Sequence, residues 1–138
     1  MAVLGGTGLI GWHTVNALRE RGHGIRVLAR SAPRPELGIG STEYQQLNYI
    51  TASHEDLVSA LTGCTALVHA AGADPRIVPK GRADTFFHDI NVTANQRLLV
   101  AAIEAKVTVT VLLTSYFHPL RPHMKSHPYV ASRIASEA

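Results

Sequence analysis

The sequence has little that would commit it to a membrane, to export or to nucleic acid. Its single cysteine, Cys64, excludes an internal disulfide and suits a reducing compartment. No apolar run approaches the ~20 residues that a membrane-spanning helix needs. No basic leader with a small-residue cleavage site marks the start. Charged residues make up 17% of the chain and aromatic ones 6%, and the basic side chains are scattered instead of interleaved with rings, as nucleic-acid binders have them. The net charge of +3 then amounts to local help for an anionic ligand. These absences predict a cytoplasmic protein with neither a membrane nor a nucleic-acid partner. Disorder is excluded by a hydrophobic content of 46%, and 138 residues can bury the core of one domain.

Glycine, by contrast, is concentrated. Four of the 11 glycines fall in Gly5–Gly11, between apolar Ala2–Leu4 and the stretch Leu9–Arg21, where Leu9, Ile10, Val15 and Leu18 recur at helical spacing. Arg19 and Arg21 would sit in the last turn of that helix, and Gly22 at its C-terminal cap. Gly5-x-x-Gly8-x-x-Gly11 between a strand and a helix lets the backbone turn tightly and lets a phosphate approach main-chain N–H groups. The helix start adds unpaired donors and a positive dipole end. The pattern points to nucleotide binding through Gly5, Gly8, Leu9, Ile10 and Gly11; the bland alternative is a structural turn.

Downstream, strand and helix patterns alternate. Ile25–Ala29 reads as a second strand, 31–41 as a loop, and Tyr44–Ile50 as a weak third strand. Ser53-His54-Glu55-Asp56 resembles a capping box that opens a short helix to Leu61, ended by Gly63. Ala66–Ala70 is a fully apolar fourth strand. Phe86–Ala105 is the clearest helix, with Ile90, Leu98, Val100 and Ile103 among its apolar positions. Val107–Leu113 is a fifth strand, a Pro- and His-rich loop follows, and Tyr129–Glu137 opens another helix. Continuous apolar strands alternating with helices predict a single α/β domain, a doubly wound parallel sheet of Rossmann type. The last helix stops uncapped at Ala138, which predicts a domain incomplete at its C-terminal end. His123-x-x-x-His127 has the spacing of a metal pair, but no cysteine or carboxylate joins it, and no metal is expected. Cys64 reads as a small packed residue.

Taken as a set, GGTGLIG at Gly5–Gly11, HAAG at His69–Gly72, Asn91, Thr114-Ser115-Tyr116 and Tyr129-Val-Ala-Ser-Arg133 with Glu137 beyond resemble the extended short-chain dehydrogenase/reductase family. That family includes NAD(P)-dependent epimerases, dehydratases and dihydroflavonol-type reductases. The resemblance spans nearly the whole chain, and members of the family are longer, with a C-terminal substrate-binding part.

The resemblance implies that Ala70 and Ala71 line the middle of the cofactor and that Asn91 helps to hold the active site. It implies a proton exchange at Tyr129 while hydride moves to or from a nicotinamide. The partner lysine of that tyrosine is replaced by Arg133, which keeps the positive charge in a larger, rigid fork. A gap-free match puts Tyr116 at the place of the assisting hydroxyl; Ser115 and Thr114 are the substitutes one step away, and Ser115 is the one expected to act. The pair of Asp and an apolar residue that the family carries after its third strand has no counterpart near Ile50-Thr51.

Ala29-Arg30-Ser31, just past the second strand, lacks the carboxylate that would accept from a ribose 2′-OH, and Arg30 can grip a 2′-phosphate, with Arg34 nearby. NADP is therefore expected in preference to NAD. The expected function is hydride transfer between a nicotinamide and a carbonyl or alcohol substrate, a small ketone or a sugar nucleotide. A non-catalytic NAD(P)-binding sensor on the same fold is the rival, and a purely structural module a weaker third. The family also implies a homodimer.

Overall fold

The computed structural model describes residues 1–38, 42–77, 79–115 and 117–137, leaving aside the side chains of Phe117 and His118. Five parallel strands form one sheet in the order β3-β2-β1-β4-β5. They are β1 Ala2–Leu4, β2 Arg26–Ala29, β3 Glu43–Gln46, β4 Ala66–His69 and β5 Val109–Leu112. The chain winds outward from β1 through β2 to β3, then returns to the far side of β1 with β4 and β5. This is the doubly wound Rossmann-type sheet that the alternating pattern predicted, and its order reverses between β1 and β4.

The central strand is the most apolar. All three residues of β1 are at most 1% exposed, flanked by β2 (Val3 beside Val27) and β4 (Val3 beside Val68). Val3, Val15, Ile25 and Val27 form one cluster, with Trp12, Leu18 and Tyr44 packed on it. Helix α1, Leu9–Glu20, lays Val15 into that core, and the Trp12 indole N–H donates to the Leu37 carbonyl at 2.6 Å. Helix α2, His54–Leu61, starts at the capping box read from the sequence: the Asp56 N–H donates to Ser53 Oγ at 3.0 Å and the Ser53 N–H to Asp56 Oδ2 at 3.3 Å.

The boundaries differ where side chains override the pattern. The third strand stops at Gln46, not Ile50, because Asn48 folds the chain: its side chain accepts from the Ile50 N–H and its carbonyl from Thr51 and Ala52. The strands expected at Ile25–Ala29, Ala66–Ala70 and Val107–Leu113 are each shorter, at Arg26–Ala29, Ala66–His69 and Val109–Leu112. The long helix begins earlier, at Ala83, and is not uniform. It runs as α3 Ala83–His88, a π-type turn Asp89–Thr93 and α4 Ala94–Glu104. Leu98 is buried as expected, but Val100 and Ile103 are 57% and 77% exposed. The Pro- and His-rich segment carries a short helix, α5 Phe117–Leu120, and a 3₁₀ turn Pro122–Met124. The last helix, α6, is Pro128–Ala135.

The chain divides into two compact units, Met1–Ala71 with Val100–Leu113, and Gly72–Leu99 with Thr114–Ala138. The first contains the sheet, α1 and α2. The second contains α3, the π turn and α6, around Ala73, Phe87, Tyr129 and Val130. Among the described residues no helix is long and apolar enough to cross a membrane.

Candidate functional site

In the first unit the glycine turn leaves the C-terminal end of β1, beside the point where the strand order reverses. The Gly5 N–H donates to the Leu28 carbonyl at 2.7 Å and the Ala70 N–H to the Leu4 carbonyl at 2.9 Å, so the ends of β1, β2 and β4 are tied together. Gly5 has φ +80°, and a Cβ there would lie 2.9 Å from Ala71 N and 3.0 Å from Ala70 C. Only glycine meets both demands. At Gly11 a Cβ would run into the Gly5 carbonyl, so the first turn of α1 approaches the strand end as closely as backbone allows. The Gly8 N–H donates to the Gly5 carbonyl at 2.9 Å, which closes the turn.

Gly8 is the N-cap of α1 and brings no side chain to its N–H groups, and no carboxylate lies in the first turn. A helix start with uncapped donors, a positive dipole end and no acidic neighbour fits a diphosphate. Gly5, Gly8, Gly11, Ala70 and Ala71 are thus brought together, as expected. Leu9 and Ile10 are 78% and 58% exposed; their helical spacing does not reflect core packing. Arg30 is exposed, two residues beyond the Leu28 carbonyl that receives the Gly5 N–H. His69 is fully buried at the end of β4, its ring edge-on to Tyr49 at 5.1 Å.

The second unit holds Tyr129 and Arg133 on α6, one helical turn apart and each 7% exposed. Phe87 meets the Tyr129 ring edge-to-face, centroids 5.6 Å apart, and fixes its plane. The Arg133 guanidinium carbon lies 5.5 Å from the centre of the same ring. The expected tyrosine and cation are therefore adjacent.

Asn91 stands in the π turn and is fully buried. Its Oδ1 accepts from the Ala73 N–H at 3.0 Å and its Nδ2 donates to Ser132 Oγ at 3.0 Å. Ser132 in turn donates to the Tyr129 carbonyl at 2.7 Å. Asn91, placed by the resemblance among the residues that hold the coenzyme and the active site, has no exposed surface and both amide ends committed, and its side chain ties the π turn to α6. Ser132 and Asn95, whose Nδ2 donates to the Asn91 carbonyl at 2.6 Å, complete this network, and sequence reading gave neither a role. Ser115 is partly buried, beyond the end of β5, and Tyr116 lies outside the described residues.

Two exposed pairs flank the entry to α3. Arg76 beside Asp74, and Arg82 beside Asp84, each hold the neighbouring carboxyl down at about 2 through side-chain hydrogen bonds at 2.6 Å.

The chain is similar to several known proteins. A ketoreductase acting on a farnesylated dihydroquinoline oxide, from Stigmatella aurantiaca, is 29% identical over 133 residues, 91% of this chain and 38% of its own length. The solved UDP-N-acetylglucosamine 4-epimerase from Bacillus cereus is 28% identical with a TM-score of 0.72, over 99% of this chain and 45% of that one. A short-chain dehydrogenase/reductase superfamily protein from Agrobacterium tumefaciens, solved with bound NAD, is 26% identical with a TM-score of 0.69, over 99% and 42%. The chain thus spans less than half the length of these relatives. A family model for NAD dependent epimerases and dehydratases matches residues 1–136. With that match over nearly its whole length, the chain belongs to the NAD dependent epimerase/dehydratase family.

Proposed function

We propose that this chain is the coenzyme-binding part of a reductase or epimerase that transfers hydride between a nicotinamide and a carbonyl or alcohol carbon. The observation that carries the reading is the Gly5–Gly11 turn, which presents uncapped N–H groups at the switch point of the sheet. A nicotinamide, when bound, supplies the hydride to the carbonyl carbon or takes it back from the alcohol.

Tyr129 handles the proton. In reduction its phenol O–H gives a proton to the carbonyl oxygen while the hydride adds to carbon, and solvent reprotonates the phenolate. Arg133 places positive charge beside the ring, its guanidinium carbon 5.5 Å from the ring centre. The Ser115 hydroxyl donates to the substrate oxygen. The direction we favour is carbonyl reduction with NADPH, because Ala29-Arg30-Ser31 offers a guanidinium and no carboxylate to the adenosine ribose. The ketoreductase relative supports a ketone as substrate and the epimerase relative a sugar nucleotide. A cytoplasmic setting and a homodimer belong to the same reading.

The test is loss of NADPH absorbance with a panel of ketones. Turnover with any of them supports the reading. Saturable coenzyme binding with no turnover supports a sensor, which the arginine at position 133 also favours; gain of turnover in Arg133→Lys would then mark the natural chain as a binder.

A further inference from the structure

The one departure of this chain from a tyrosine–lysine pair is Arg133, and the larger head group needs room. That room is at Gly72. A Cβ built there would lie 2.5 Å from Nη2 of Arg133 and 3.2 Å from both Cζ and Nη1. All three atoms nearest to that vacant position belong to the guanidinium. From the same seat Cζ stands 5.5 Å from the centre of the Tyr129 ring, and Arg133 is only 7% exposed. Phe87 holds the Tyr129 ring edge-on from its own position on α3, so the ring is not the part that gives way.

We propose that Gly72 is a positioning residue: its missing side chain seats the Arg133 guanidinium over Tyr129 and so admits an arginine at the lysine place. A lysine ends about where the guanidinium carbon lies, and lacks the nitrogen that comes closest to Gly72. A methyl group at position 72 therefore displaces an arginine further than a lysine. The backbone at Gly72, φ +156°, adds a cost to any substitution, but that cost is the same whichever residue occupies 133 and cancels in a double-mutant cycle. The effect on turnover rests on the proposed function; the seating does not.

The experiment compares the wild-type chain, Gly72→Ala, Arg133→Lys and the double variant, with two readouts. In NMR of the protein alone, the Arg133 Nε–Hε signal, assigned by its loss in Arg133→Lys, is expected to be displaced by the Tyr129 ring current. In Gly72→Ala it is expected to return to the position of exposed arginines. In ketone reduction, Gly72→Ala is expected to lower turnover about tenfold or more with arginine at 133, and several-fold less with lysine there. An Arg133 signal unmoved by Gly72→Ala overturns the proposal, as does an equal loss of turnover in both backgrounds. A displaced signal in a wild-type protein without turnover upholds the seat and overturns the proposed function instead. Should Gly72→Ala fail to fold, Gly72→Ser in the lysine background must fold and remain as active as Arg133→Lys within a few-fold, or the proposal falls.

Discussion

Asn91 donates through Nδ2 to Ser132 Oγ at 3.0 Å, joining the π turn to α6 across 41 residues of sequence, with both side chains buried. The same amide accepts from the Ala73 N–H, so one side chain on the π turn satisfies polar groups on two other segments of its unit. Asn91→Ala removes both bonds and leaves the Ala73 N–H buried without its acceptor. The expected cost is about 3 kcal/mol, read as a lower midpoint in urea unfolding with an unchanged slope. A loss below about 1 kcal/mol would show that solvent or a neighbour replaces the amide.

Gly5 and Gly22 share φ +80° but not surroundings. At Gly22 nothing lies within 4 Å of a Cβ, whereas at Gly5 the Ala70 and Ala71 backbone lies at 2.9 to 3.1 Å. Gly22→Ala is expected to cost about 1 kcal/mol, the left-handed backbone penalty alone. Gly5→Ala adds a collision with main chain that cannot rotate away, and about 3 kcal/mol or more is expected, with loss of coenzyme binding. Equal costs in thermal unfolding would contradict the packing described for the turn.

The pH behaviour of the second unit has a defined sign at Asp84. Its carboxyl is depressed from 3.8 to about 2, first by the Arg82 hydrogen bond. A depressed carboxyl stabilises the folded state above the unfolded value and loses that contribution as pH falls from about 4 towards 2. The pair is fully exposed, so its effect on stability is small. The titration itself is the measurement: a carboxyl carbon-13 midpoint near 2 that rises towards 3.8 in Arg82→Ala.

Arg30 is the residue proposed to select the coenzyme. Arg30→Asp puts a carboxylate where a 2′-phosphate would sit, and exchanges a bidentate attraction for repulsion. NADPH affinity is expected to fall about tenfold or more while NADH binding holds or improves, measured by fluorescence titration. An unchanged ratio would remove Arg30 from the site.

Much of this was legible because the signals are local. The Ser53 capping box and the glycines of the turn follow from backbone rules that act within a few residues, and the sheet follows from the apolar runs of β1, β2 and β4. The π turn was not legible. It adds one residue to a helical turn through backbone hydrogen bonding, which side-chain periodicity does not report. Leu9, Ile10, Val100 and Ile103 have helical spacing yet are exposed, since period reports which residues share a face and not whether that face is covered. The seat of Arg133 on Gly72 joins positions 61 residues apart and has no local trace.

The most direct test of the whole account is amide NMR of the chain titrated with NADPH. Saturable shifts centred on the N–H groups of Gly8, Leu9, Ile10 and Gly11, reproduced in part by a simple diphosphate, are the predicted result. No saturable response to NADPH or NADH, or shifts that leave those four amides untouched, would contradict it.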